Sequence, residues 1–378
     1  MKFIHLSDLH LGKRLNEFSL IEDQEFILRE IHNIISEEAP DFVVIAGDIY
    51  DKAVPSAEAV HLFDSFLTHI SERTGQVFVI SGNHDSAERI AFGSHIMDKS
   101  GIHMSPVFDG SIAPAVLNDE YGEFCVYMLP FIKPVTVRRF FTEKAVESYT
   151  DAVNAVIDSM NADYSKRNIL IAHQFVTGAL KCDSEEISVG GTDNVDSSAF
   201  DGFDYVALGH IHSPQNVGSE RIRYCGTPLK YSFSEASHHK SVTVVEIREK
   251  GRLNVREVPL TPKRDMRRIR GEFDYICSKE CSSEGDVNDY IHVVLTDEEE
   301  IPEALGKLRS VYPNIMSIEY DNQRTRSANS TLAAAEAEKK LPIELFEEFY
   351  KFSNGADMSD EQHELVESLI EKIWEDGE

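Results

Sequence analysis

The chain has 378 residues, 42% of them hydrophobic and 27% charged, which is the balance of a globular protein too long for one compact core. No apolar run approaches the roughly 18 residues that a membrane-spanning helix needs. The net charge of −29 argues against a protein that grips nucleic acid by bulk electrostatics, although most of the acidic excess lies from Gly271 onward.

The N-terminus opens directly into Phe3–Leu6, a short apolar run that reads as a strand covered on both faces. Asp8-Leu9-His10 follows so closely that a cleavable leader would remove it, and none is expected. Phe26, Ile27, Ile31, Ile34 and Ile35 recur at helical spacing. A second strand, Phe42–Ala46, runs into Gly47-Asp48. A second helical stripe passes through Val60, Leu62, Phe63, Phe66, Leu67 and Ile70. A third strand, Val77–Ile80, leads to Gly82-Asn83-His84-Asp85. Further along, Ile169–Ala172 precedes His173, and Tyr205–Leu208 precedes Gly209-His210-Ile211-His212. Strands alternating with helices predict a layered α/β core, with ligands gathered at the carboxyl ends of its strands.

Ser241–Ile247 and Leu253–Val258 read as a hairpin that closes the sheet of the first domain, and Pro259 and Pro262 mark its boundary. From Arg264 to Asp321 a smaller unit is expected, with strands at Tyr290–Leu295 and Ile315–Tyr320 and a helix near Pro302–Ser310. The basic stretch Lys263–Arg270 at its start reads either as a solvated strand or linker or as a phosphate-contacting patch. Residues 322–340 read as a polar linker. Two amphipathic helices follow, one through Ile343, Leu345, Phe346, Phe349 and Phe352, the other through Leu365, Val366, Leu369, Ile370 and Ile373. Such helices either fold back on their own protein or enter a partner's groove. The five cysteines are odd in number and scattered, so no disulfide framework is implied, Cys277 and Cys281 read as ordinary thiols, and a reducing cytoplasm is expected.

The chemistry lies in the strand ends. Asp8 and His10, like His210 and His212, are two apart, so an extended backbone would turn both side chains to one face. Asp48 follows a glycine and has two oxygens with which to bridge ions, and Asn83 adds a neutral amide oxygen. An oxygen-and-imidazole set without thiolate favours Mn²⁺, Fe²⁺ or Zn²⁺. Two such ions would clamp the attacking and leaving oxygens of a displacement at phosphorus. His84 points elsewhere than Asn83 and is the candidate to stabilise the phosphorane or protonate the leaving oxygen, with Asp85 placed to fix its tautomer. Asp41 and Asp51 flank the site as supports, and His238-His239 reads as surface.

These motifs resemble those of the calcineurin-like metallophosphoesterase superfamily. Within it the chain resembles the nuclease subunits of bacterial SbcC–SbcD double-strand-break repair complexes, through Phe3–Gly12, Val44–Asp51, Ser81–Asp85, Tyr205–His212, Tyr224–Pro228 and Phe233-Ser234-Glu235 before Lys240. The resemblance implies an α/β fold, a four-layer sandwich of two mixed sheets flanked by helices, with a small α+β accessory domain and a C-terminal helical pair. It divides the chain into a nuclease domain at 1–262, an accessory domain at 263–321, a linker at 322–340 and a partner-binding tail at 341–378. It implies two Mn²⁺, one on Asp8, His10, Asp48 and His212, the other on Asp48, Asn83, His173 and His210, with His84 catalytic. Asp51 stands where archaeal and eukaryotic relatives carry a further histidine, so that histidine's role does not transfer. The implied partners are DNA, an SbcC-like ABC ATPase that brings ATP and docks the tail, and a second copy of the chain. Ala57–Ile70 and Ser86–Lys99 would form that homodimer, with Phe92, Ile96 and Met97 at the interface, inside a heterotetramer. The expected activity is Mn²⁺-dependent exonuclease and endonuclease cleavage of DNA. A phosphomonoesterase or cyclic-nucleotide phosphodiesterase with the same centre is the alternative, and a non-catalytic scaffold is disfavoured because every ligand position is filled.

Overall fold

Runs of β-branched and aromatic residues form strands because such side chains fit a pleated surface covered on both faces. The computed structural model describes residues 1–182, 185, 193–323 and 325, with scattered positions between 343 and 369. The first sheet contains β1 (Lys2–Leu6), β2 (Phe42–Ala46), β3 (Gln76–Ile80) and β4 (Ile102–Met104), all parallel. The second is built from β5 (Ala115–Asp119), β6 (Gly122–Leu129), β7 (Arg167–His173), β8 (Tyr205–Gly209), β9 (Gln215–Val217) and β10 (Ser219–Tyr224). The hairpin β11 (Ser241–Ile247) and β12 (Leu253–Pro259) then returns to the first sheet, where β11 pairs antiparallel with β1. The strand orders are β12-β11-β1-β2-β3-β4 and β9-β10-β8-β7-β6-β5, so both sheets are mixed and parallel at their centres.

Alternation along each central strand sorts its side chains between two cores. Phe42, Val44 and Ala46 face the second sheet, and Val43 and Ile45 face helices α1 (Ile21–Glu38) and α2 (Ala57–Ser71). In β7, Ile169 and Ile171 face the first sheet, and Leu170 and Ala172 face α3 (Tyr149–Ser159). Helix α3 starts at a capping box of Ser148 and Asp151. The layers are therefore helix, sheet, sheet, helix. Between the sheets Phe3 stacks on Phe42 at 4.6 Å and meets Tyr205 edge-on at 5.6 Å.

A third sheet follows, with β13 (Met266–Gly271), β14 (Tyr290–Leu295) and β15 (Ile315–Tyr320) parallel and a short helix at Ala304–Arg309. It docks on α1: the Tyr290 hydroxyl donates to Asp23 Oδ2 at 2.7 Å, and Arg264 Nε to Asp23 Oδ1 at 3.1 Å. The basic stretch leads into this sheet. It forms β13, and Lys263 and Arg264 pair with Glu22, Arg267 with Asp289 and Arg270 with Asp321. Four of the five bases of the stretch therefore meet acids within the protein, and Arg268 is exposed.

The five cysteines are free thiols. Among the described residues no helix is long and apolar enough to cross a membrane. The stretch expected as a single interface element at 86–99 holds two one-turn helices, Ala87–Ile90 and Ser94–Met97, with Phe92 in the turn between them 83% exposed and Ile96 on the second 76% exposed. The expected linker and two-helix tail lie for the most part outside the described residues.

Candidate metal centre

The carboxyl ends of β1, β2, β3, β7 and β8 meet at one edge of the sandwich, and the candidate ligands sit in the turns that leave them. The pairing of β1 with β2 continues past the strands: Asp8 N donates to Gly47 O at 3.0 Å and His10 N to Asp48 O at 3.0 Å. Close approach of the sheets here depends on missing side chains. A Cβ on Gly209 would fall against Ala46 O and the His173 ring, and a Cβ on Gly47, which adopts φ +85, would strike the same ring.

The ligand turns are strained. Asp8 (φ 51), His10 (φ 44), Asp48 (φ 48) and His210 (φ 103) occupy positive φ, where non-glycine residues are uncommon. Asp8 and His10 are therefore not in extended backbone as the spacing suggested. They converge through a left-handed turn that buries Leu9 between them.

Six ligand candidates are buried: Asp8, His10, Asp48, His173, His210 and His212. Asp8, His10 and His212 bring ligand atoms within 4.8 Å of one another, as do Asp8, Asp48 and His173, and as do His10, Asp48 and His84. His10 Nε2 lies 3.2 Å from His212 Nε2. His173 Nε2 lies 2.9 Å from Asn83 Oδ1 and 3.3 Å from Asp48 Oδ2, and His210 Nδ1 lies 3.0 Å from the same Asn83 oxygen. Backbone amides aim the carboxylates: His210 N donates to Asp8, and His84 N to Asp48 Oδ1 at 2.9 Å.

The electrostatics of this cluster are unsettled by its own groups. Burial lifts the Asp8 carboxyl to about 6. Burial also opposes ionising Asp48, yet His173, His10 and His84 hold it well below the usual carboxylate range. Burial disfavours charge on His173, but Asp48 and Asp8 push that ring up to about 9. His210 falls to about 3 through burial and the nearby His173. His173 Nδ1 already faces the Ala46 carbonyl at 2.8 Å, so its other nitrogen, aimed at oxygen acceptors, must carry a second proton or meet a cation. His10 Nδ1 is buried without a hydrogen-bond partner. Divalent cations among these atoms would satisfy the two carboxylates, the converging imidazoles and the amide oxygen together, so the residues fit a metal centre.

Comparison with known proteins decides the family. The calcineurin-like phosphoesterase family matches residues 1–214, and the family described as the type 5 capsule protein repressor C-terminal domain matches residues 262–354. A Staphylococcus epidermidis protein named as the SbcD component of the nuclease SbcCD is 33% identical over 99% of both chains. Its namesake from Staphylococcus saprophyticus is 31% identical over 100% of both. The chain belongs to the SbcD family of calcineurin-like phosphoesterases. A dimetal phosphatase from Danio rerio is among the solved structures it matches, at 12% identity and TM-score 0.41 over 69% of this chain and 98% of that one.

An SbcD-family chain is a metal-dependent phosphodiesterase, and the geometry gives its residues distinct surroundings. Asp85 was expected to orient His84, but its carboxylate instead accepts from the amides of Ile49, Tyr50 and Gly82 and ties two ligand turns together. His84 is oriented by the backbone of Asp51, with Nδ1 3.1 Å from that carbonyl and Nε2 3.9 Å from Asp48 Oδ2. The Asp51 carboxylate pairs with Lys13 at 2.8 Å, and Asp41 accepts from Lys2 N at 2.7 Å. His238, expected at the surface, is half-buried, with Nδ1 4.0 Å from Glu235. Sequence reasoning gave no role to Gln24, Thr227, Tyr231, Glu235 or Lys240, all buried behind the His10 and His212 turns. The signal for three of them was that Thr227, Glu235 and Lys240 fall in the stretches that carry the family resemblance, and nothing in the sequence showed that the two charges are buried as a pair.

Proposed function

We propose that this protein is a Mn²⁺-dependent DNA nuclease that trims duplex ends and opens hairpin or single-stranded DNA within an ATP-regulated repair complex. The observation that carries the reading is the convergence of the strand-end ligands in a chain alignable end to end with proteins named as components of the nuclease SbcCD. Asp8, His10, Asp48 and His212 would hold one ion, and Asp48, Asn83, His173 and His210 the other. When bound, the ions supply Lewis-acid stabilisation of charge at phosphorus.

The protein's own groups do the rest. The Asp51 carbonyl accepts from His84 Nδ1, which leaves Nε2 directed at the site to hold and deliver a proton to the leaving oxygen. Amides at His84 and His210 keep the two carboxylates aimed inward. Six of the ligand side chains are buried, so their charges act in a medium less polar than bulk water.

Residues 1–262 form the nuclease domain in this reading, 263–321 the accessory domain, and 341–378 the helical tail that docks an ABC-type ATPase. Exposed Phe92 and Ile96 support a homodimer, since large apolar side chains in neighbouring turns mark protein contacts.

The test is cleavage of linear duplex and hairpin DNA with Mn²⁺, with and without EDTA, beside the variant His84→Ala. Wild-type cleavage should vanish with EDTA. His84→Ala should lose about 10²- to 10⁴-fold in rate while still binding metal. Turnover of a chromogenic phosphodiester with no DNA cleavage, even with an ATPase partner present, would defeat the reading. Loss of metal by His84→Ala would move that residue from catalyst to ligand.

A further inference from the structure

We infer that Glu235 and Lys240 are positioning residues for one of the two metal positions, the one served by His10 and His212. The inference rests on the metal-centre reading above and adds what fixes that half of it.

The Glu235 side chain is fully buried and Lys240 nearly so. The Lys240 ammonium spends its three protons on the Glu235 carboxylate at 2.5 Å, Thr227 Oγ1 at 2.6 Å and the His212 carbonyl at 2.8 Å. Glu235 Oε1 faces His212 Nδ1 at 3.4 Å and accepts from Tyr231 N at 3.2 Å. The pair thus holds His212 twice, by its ring and by its carbonyl. With Nδ1–H directed at a carboxylate, the lone pair of His212 lies on Nε2, the nitrogen 3.2 Å from His10 Nε2.

The same network reaches the other turn. The Tyr231 hydroxyl donates to the Leu9 carbonyl at 2.5 Å, and Gln24 Nε2 donates to the Tyr231 hydroxyl at 3.1 Å and the His10 carbonyl at 2.7 Å. Gln24 Oε1 accepts from Gly12 N at 2.9 Å. A continuous set of buried polar side chains therefore runs from behind His10 to behind His212. His173, on the opposite side, is instead oriented by a backbone carbonyl, that of Ala46. The buried Glu235 carboxylate pairs with Lys240 through one oxygen and faces His212 with the other. The lysine is what allows a carboxylate to sit behind the ligand without carrying an uncompensated charge into the core.

The consequence is asymmetric: disturbing this pair weakens one ion and spares the other. The double variant Glu235→Gln with Lys240→Met removes both charges together and avoids leaving either buried alone. Glu235→Asp keeps the ion pair but draws the carboxylate back from Nδ1. Mn²⁺ alone is titrated into each by calorimetry, with the manganese EPR spectrum followed in parallel. Wild type should bind two ions and show a spin-coupled pair. Both variants should keep one ion at wild-type affinity and bind the other about 10- to 100-fold more weakly, with an uncoupled six-line spectrum at one equivalent. His212→Ala gives the reference for loss of that position. Two ions at wild-type affinity in a folded variant would overturn the inference. Equal weakening of both ions would also overturn it, because that is what general loosening of the core predicts. If wild type itself fails to bind two ions, the metal-centre reading falls first.

Discussion

Gly209→Ala is the most direct test of how the two sheets make the site. A methyl group there would stand 2.7 Å from His173 Nδ1 and closer still to Ala46 O, whereas real Cβ atoms essentially never come within 3.0 Å of a neighbour. Neither neighbour can swing away. One is backbone of a central strand, and the other is a buried ring hydrogen-bonded to that backbone at 2.8 Å. The sheets must part by roughly 1 Å at their ligand-bearing edge. Overpacking of this kind costs about 1–3 kcal/mol. Separating His173 from the Ala46 carbonyl adds about 1–3 kcal/mol for buried groups left unpaired. Because His210 is the next residue, displacement on this scale should lower turnover about 100-fold or more. The assay is a thermal melt beside Mn²⁺-dependent hydrolysis of a chromogenic phosphodiester, with Gly306→Ala as control, a position where an added Cβ meets nothing within 4 Å. A Gly209→Ala protein with wild-type melting and turnover would refute the claim that the sheets close on each other at this residue.

Arg167 is almost fully buried and pairs with Asp119, which also receives the N-terminal ammonium at 2.6 Å. Asp119→Asn should cost about 2–3 kcal/mol. The Arg167 hydrogen bond holds the Asp119 carboxyl below its usual range, so the stabilisation is present above about pH 4 and fades as the medium is acidified toward the folded-state value. Melting temperatures of variant and wild type should therefore converge on acidification; a gap that persists unchanged at pH 3 would contradict this. Arg264→Ala removes the guanidinium that bonds Asp23 and lies over the Tyr290 ring at 5.5 Å, and it should hasten proteolysis between the third sheet and α1. An unchanged digestion pattern would show that the apolar contact of Tyr290 and Met316 suffices. Deleting residues 341–378 should leave basal Mn²⁺ activity intact and abolish association with an SbcC-type ATPase. Co-purification of the truncated chain with that ATPase would show that docking lies elsewhere.

The sequence alone determined the local facts. Short apolar runs ending in Asp, Asn or His could be read as strands with ligands at their carboxyl ends, because strand propensity and turn chemistry are properties of adjacent residues. The core strands β1, β2, β3, β7 and β8 were legible for that reason, and so was the return hairpin β11–β12. Flanking strands such as β5, whose residues alternate between half-buried and exposed, carry too little apolar signal to be read that way. Only the tertiary structure decided which groups meet. The role of Asp85 passed from His84 to three backbone amides, because the turn after β3 folds over the turn after β2. Four of the five bases of Lys263–Arg270 found acids, on α1 or beside the strands of their own sheet, with a partner more than 240 residues away in the case of Lys263 and Glu22. Glu235 and Lys240 became the backing of His212 for the same reason. A buried charge is tolerable only beside its counter-charge, and where that counter-charge lies is a property of the folded chain, not of its neighbours in sequence.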